Sequence, residues 1–124
     1  MQPYDLIGDI HGQANELVKL LKKMSYVKND GIWQHQSRKV IFLGDFVDRG
    51  SGGVEVFCTL LAFHFLCPGS VYFNRGNHEA RAQTSWMGFE QEVLEKYCKR
   101  SDTTAGRKLY NLFIYKLCDL SLSC

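Results

Sequence analysis

The sequence predicts an α/β fold, a mainly parallel sheet flanked by helices. Two observations carry that expectation. Short apolar runs alternate with longer stretches at helical spacing, in the order strand–helix–strand–helix–strand–helix. Three of the short runs then stop at glycine-bordered polar clusters: Gly8-Asp9-Ile10-His11-Gly12, Gly44-Asp45-Phe46-Val47-Asp48-Arg49-Gly50 and Gly76-Asn77-His78-Glu79. In open parallel sheets, ligands gather at the carboxyl ends of strands, where all three clusters fall.

The elements follow in order. Tyr4-Asp5-Leu6-Ile7 reads as a buried strand ending at Gly8. Gln13 to Met24 carries Leu17, Leu20, Leu21 and Met24 at helical spacing. Asn29-Asp30-Gly31 marks a turn, and Ile32-Trp33-Gln34-His35 is expected to be a short edge strand. Lys39 to Leu43 is a second buried strand, followed by Gly52-Gly53 and a helix from Val54 to Leu66 that Pro68-Gly69 terminates. Val71-Tyr72-Phe73 is the third strand. The remainder reads as helical. Phe89 to Tyr97 is one helix, Ser101 to Gly106 a polar loop, and Leu109, Leu112, Phe113 and Leu117 the apolar stripe of a last helix.

Composition bounds the class. The 124 residues fit one domain, residues 1–124, and 45% hydrophobic with 23% charged residues is globular rather than disordered. A net charge of +2 is too weak a bias to predict nucleic acid or an acidic membrane surface as partner. The longest mostly apolar stretch, Val54 to Cys67, contains Glu55, Thr59 and His64 and is shorter than the roughly 20 residues a bilayer requires. Five cysteines, an odd number with no C-x-x-C pair, argue against zinc ribbons and thioredoxin chemistry. With no leader ahead of the first strand, reduced thiols in the cytoplasm are expected. Cys58, inside an apolar run, is expected in the core.

The three clusters carry the chemistry. Asp9 and His11 are two apart, so on an extended segment their side chains point the same way. A carboxylate beside an imidazole suits Mn, Fe or Zn better than Ca or Mg. Asp45, after another strand, can bridge two ions, and Asn77 offers an amide oxygen to the second. Two ions about 3.5–4 Å apart can hold a hydroxide and clamp phosphoryl oxygens. His78 is a candidate general acid, with Asp48 to orient it and hold its proton. Arg49, a planar fork, suits phosphate oxygens, and Arg75 is a second candidate. Singly, each cluster reads as an ordinary turn; three in order, each after a strand, predict one site. His35 reads as a strand or loop histidine and His64 as a packed helical one. Trp33 and Trp86 read as core or rim.

These runs resemble the metallophosphoesterase (calcineurin-like) superfamily, most closely its PPP-type serine/threonine protein phosphatases, whose G-D-x-V-D-R-G motif matches Gly44 to Gly50. Val54-Glu55-Val56, Arg75 to Glu79 and Gly88 to Tyr97 resemble the branch fused to tetratricopeptide repeats, whereas Asp30-Gly31-Ile32-Trp33 resembles bacterial relatives. The resemblance covers Tyr4 to Phe113. It implies the N-terminal half of a four-layer α/β/β/α sandwich, with Asp9, His11 and Asp45 on one metal and Asp45 and Asn77 on the other. His78 is then the acid, Asp48 its partner and Arg49 the phosphate ligand. The implied activity is hydrolysis of a phosphoprotein by direct attack of a dimetal-bound hydroxide on phosphorus, with regulatory subunits unspecified. The same motifs serve a small-molecule phosphoesterase such as a dinucleoside polyphosphate hydrolase. The family's second half supplies further histidine ligands, and no histidine follows His78 here. A truncated domain is therefore expected, with a weak second metal site, an exposed sheet face, a tendency to associate and, as the third possibility, no activity. Asp119 to Cys124 does not resemble the family's continuation.

Overall fold

The computed structural model describes residues 3–34, 37–98 and 102–119. Its sheet has three parallel strands in the order β1 (Tyr4–Ile7), β2 (Lys39–Phe42), β3 (Val71–Phe73). Leu6 aligns with Ile41 and Tyr72, and Ile7 with Phe42 and Phe73. Alternation then sends Ile7, Val40, Phe42, Val71 and Phe73 into the core. The opposite face holds Tyr4 and Leu6, 52% and 65% exposed, and the half-buried Ile41 and Tyr72. The expected open apolar face is therefore present among the described residues.

Helix α1 (Ala14–Lys23) buries Leu17 and Leu21 and packs on α2 (Gly53–Leu66). Helix α2 is the apolar centre: Val54, Val56, Phe57, Leu60 and Phe63 are all buried. Phe63 meets Tyr26, Trp33 and Phe42, while Phe57 meets Phe113 of the last helix. The first amides of α2 have no acceptor within their own helix. The buried Glu92 supplies one from α4 (Phe89–Tyr97), accepting from Gly53 N and Val54 N at 3.0 Å each. Lys96 then ties Glu92 to Glu55 and to the Ser51 carbonyl. Helix α3 (Arg81–Met87) connects β3 to α4, and α5 (Thr104–Asp119) packs along α4.

Five expectations change. Strand β1, expected to be buried, buries only Ile7, because its other face has no covering layer among the described residues. Residues 32–34 form no strand; only Val27 and Trp33 bridge, because Gly31 turns the chain at φ 86° and Trp33 stacks on Phe63 at 4.8 Å. His35 lies outside the described residues. Helix α5 starts at Thr104, within the expected loop, whose Ser101 also lies outside them. Its buried row is Gly106, Tyr110, Ile114 and Leu117, with Leu109 and Phe113 partly covered and Leu112 54% exposed. Gly106 sets this rotation, since a Cβ there would strike Cys98 Sγ. Cys58 is exposed, on the side of α2 that carries Glu55 and Phe65. Partial desolvation and the nearby Glu55 charge push its thiol up, away from the reactive thiolate.

Candidate metal centre

Three loops leave the carboxyl ends of the strands, and the first two are tied backbone to backbone. Ile10 N and His11 N donate to the Asp45 carbonyl at 3.0 and 2.9 Å, and Gly12 N donates to the Phe46 carbonyl at 2.9 Å. Gly50 N returns a bond to the His11 carbonyl at 3.0 Å. The third loop joins through a side chain: His78 N donates to Asp45 Oδ1 at 2.9 Å. Gly44 (φ 107°) and Gly76 meet backbone to backbone, leaving no room for a Cβ at either.

The conformation is costly. His11, Asp45, Asp48 and Arg49 all hold positive φ, at 44°, 54°, 68° and 64°. Each such residue stores roughly 1–3 kcal/mol and persists only where its surroundings over-determine it. Here the cross-loop bonds do so, at the positions singled out for their chemistry.

Both imidazoles are oriented. His11 Nδ1 lies 3.0 Å from the Val47 carbonyl, which only accepts, so Nδ1 carries the proton and Nε2 keeps its lone pair. His78 Nδ1 lies 2.8 Å from Asp48 Oδ2, and both side chains are buried. The other Asp48 oxygen accepts the Phe89 amide at 2.9 Å, so the carboxylate also caps α4. The two rings meet edge to face at 4.7 Å.

One ligand atom each of His11, Asp45 and His78 lies within 4.8 Å of the others. Asp9, mostly exposed, places Oδ2 3.6 Å from His11 Nε2. Asn77 is exposed in the third loop beside His78. The structure thus brings His11, Asp45 and His78 together, sets Asp9 at the edge and leaves Asn77 on the solvent side. Imidazole nitrogen and carboxylate oxygen converging on one point, with His11 in its metal-binding tautomer, fit a divalent first-row ion.

Arg49 is exposed and borders two grooves of about 230 and 450 Å³, one shared with Gly88 and Lys96, the other with Gly12 and Gln13. Arg75 is anchored by Nε donating to the Glu79 carbonyl at 3.0 Å. His64 is half-buried, its Nδ1 without a hydrogen-bond partner among the described residues and its ring 5.9 Å from Phe73, and it does not join the cluster of His11, Asp45 and His78. Trp86 is 72% exposed on α3.

No sequence pattern assigns a role to Glu79. It is fully buried and accepts three backbone N–H bonds. Burial pushes its carboxyl above the ordinary range, and the Phe46, Asp45 and Gly76 amides pull the other way. In the sequence Glu79 is only the end of a turn-like run, and no local periodicity marks it.

The calcineurin-like phosphoesterase profile matches residues 3–120. The chain belongs to this family. Among calcineurin-like relatives it is 47% identical over 92 residues to serine/threonine-protein phosphatase 7 of Arabidopsis thaliana, covering 74% of this chain and 21% of that protein. It is 36% identical over 116 residues to serine/threonine-protein phosphatase 5 of the same plant, covering 94% and 19%. A solved protein serine/threonine phosphatase from Saccharomyces cerevisiae, with similarity to human phosphatase PP5, superposes with TM-score 0.75 at 31% identity, over 92% of this chain and 31% of its own. The chain therefore has the α/β phosphatase fold and spans 19–21% of the length of those curated relatives. No described helix is long and apolar enough to cross a membrane.

Proposed function

We propose that this chain contributes the metal-binding and acid-bearing part of a serine/threonine protein phosphatase centre. The observation that carries the reading is the meeting of His11, Asp45 and His78 from three loops, with Asp48 2.8 Å behind His78. Hydrolase chemistry on phosphoproteins is what the names of the relatives support.

His11 and Asp45 hold the ions, with Asp9 completing one site and Asn77 the other; Mn, Fe and Zn are the candidate metals, two ions per centre. When bound, such ions polarise phosphoryl oxygens and activate the attacking water. His78, inside the same cluster, serves as the acid rather than as a metal ligand. Asp48 holds its Nδ1 proton, so that Nε2 can deliver a proton to the departing seryl or threonyl oxygen. Arg49 gathers phosphate oxygens through its fork, with Arg75 in support.

Calorimetric titration of the 124-residue chain with Mn²⁺ tests the reading. Saturable binding that Asp45→Asn abolishes, together with release of phosphate from a phosphoserine peptide in preference to a dinucleoside polyphosphate, supports it. A folded chain that takes up no Mn²⁺ overturns it.

A further inference from the structure

We propose that Glu79 is a positioning residue that sets the geometry of the Asp45 ligand; this inference rests on the metal-centre reading above. Its carboxylate is enclosed, and both oxygens are committed. Oε2 accepts from Asp45 N at 2.7 Å and from Gly76 N at 2.8 Å, while Oε1 accepts from Phe46 N at 2.8 Å. One side chain therefore clamps the loop after β2 to the loop after β3.

The clamp acts at the ligand itself. Asp45 sits at φ 54°, a conformation a non-glycine residue leaves unless it is held, and Glu79 holds its amide. Asp45 Oδ1 accepts the His78 amide at 2.9 Å, so the carboxylate that would hold the ion is itself tied to the third loop. Gly76 backs directly onto Asp45 Oδ1, so a shift of the third loop moves the Asp45 carboxylate. The Glu79 backbone is fixed in turn. Its carbonyl accepts from Arg75 Nε at 3.0 Å and from Cys118 Sγ at 3.4 Å, which anchors it to α5. A glutamine cannot replace the carboxylate, because one of the three amides would then face an NH₂ group.

Glu92 offers an internal control. It too is a buried carboxylate accepting backbone amides, but at the start of α2. The test compares Mn²⁺ affinity by calorimetry, the Mn²⁺ electron paramagnetic resonance spectrum, and melting in chelator for the parent chain, Glu79→Gln and Glu92→Gln. Outer partners of metal ligands are typically worth about ten- to a hundredfold in affinity, and a loss of that size with an altered spectrum is expected for Glu79→Gln. Glu92→Gln is expected to lower melting while affinity and spectrum stay those of the parent. Parent-like affinity in folded Glu79→Gln, or equal affinity losses in both variants, overturns the positioning role and leaves the metal centre standing. No binding by the parent overturns the centre itself. Glu79→Asp, which withdraws the charge by one methylene, decides the case if Glu79→Gln does not fold: parent-like affinity there also overturns the proposal.

Discussion

Asp48→Asn isolates the acid from the rest of the centre. The carboxylate is fully buried, with one oxygen facing His78 Nδ1 at 2.8 Å and the other facing Phe89 N at 2.9 Å. Asparagine keeps the shape but offers one acceptor and one donor. If its oxygen stays on His78, its NH₂ faces the Phe89 N–H, a buried donor left unmet at a cost of about 1–3 kcal/mol. If its oxygen turns to Phe89, the NH₂ faces Nδ1, which can adapt by giving up its proton. The second arrangement costs less, so His78 should change tautomer with α4 still capped and melting shifted little. The doubly protonated ring then meets a donor in place of an acceptor. Losing that charge-assisted bond, about 1.5–3 kcal/mol, corresponds to roughly ten- to a hundredfold in any rate limited by protonation of the leaving oxygen. Long-range ¹H–¹⁵N spectra of the histidine rings report the tautomer without requiring turnover. A phosphoserine peptide, whose leaving oxygen needs a proton, should lose more rate than a nitrophenyl phosphate. A His78 ring still protonated at Nδ1 in the variant, or equal losses on both substrates, would refute the reasoning.

Other outcomes follow from the same geometry. Glu92→Ala strands the buried amides of Gly53 and Val54; at about 1–3 kcal/mol each, the loss is about 2–6 kcal/mol, a large share of the roughly 5–15 kcal/mol that holds a domain together, and a urea midpoint shift worth under about 1 kcal/mol would contradict it. The Lys96 hydrogen bond holds the Glu55 carboxyl below its ordinary range, so that pair stabilises the fold above the ordinary value and the gain is lost as pH falls through the lowered one. Glu55→Gln should therefore melt lower than the parent near neutrality and converge with it in acid; a constant gap between the two curves would count against the assignment. On the open sheet face, Leu6 continues the row of Ile41 and Tyr72; Leu6→Glu should shift sedimentation toward monomer at unchanged melting temperature, and an unaltered profile in an associating parent would dismiss that face as the contact.

Local pattern by itself determined the three strands, the helices that follow them, and the loops that bear the ligands. Those features repeat over two or four residues, and a chain segment adopts them with little reference to its neighbours. Asp9, His11, Asp45, Asp48, Asn77 and His78 were legible because each lies within two residues of a glycine in a polar cluster that follows an apolar run. Tertiary structure alone decided which of them meet. Glu79 reaches Phe46 across 33 residues and Glu92 reaches Val54 across 38, separations at which strand register and helix packing choose the partner. The same packing rotated α5 around Gly106, so that Leu112 faces solvent and Tyr110 the core, and turned Cys58 outward on α2. In a string of residues, Glu79 and Glu92 look like any solvated acid. Only burial, which forces each carboxylate to find backbone donors or pay the cost of leaving water, makes them organising groups.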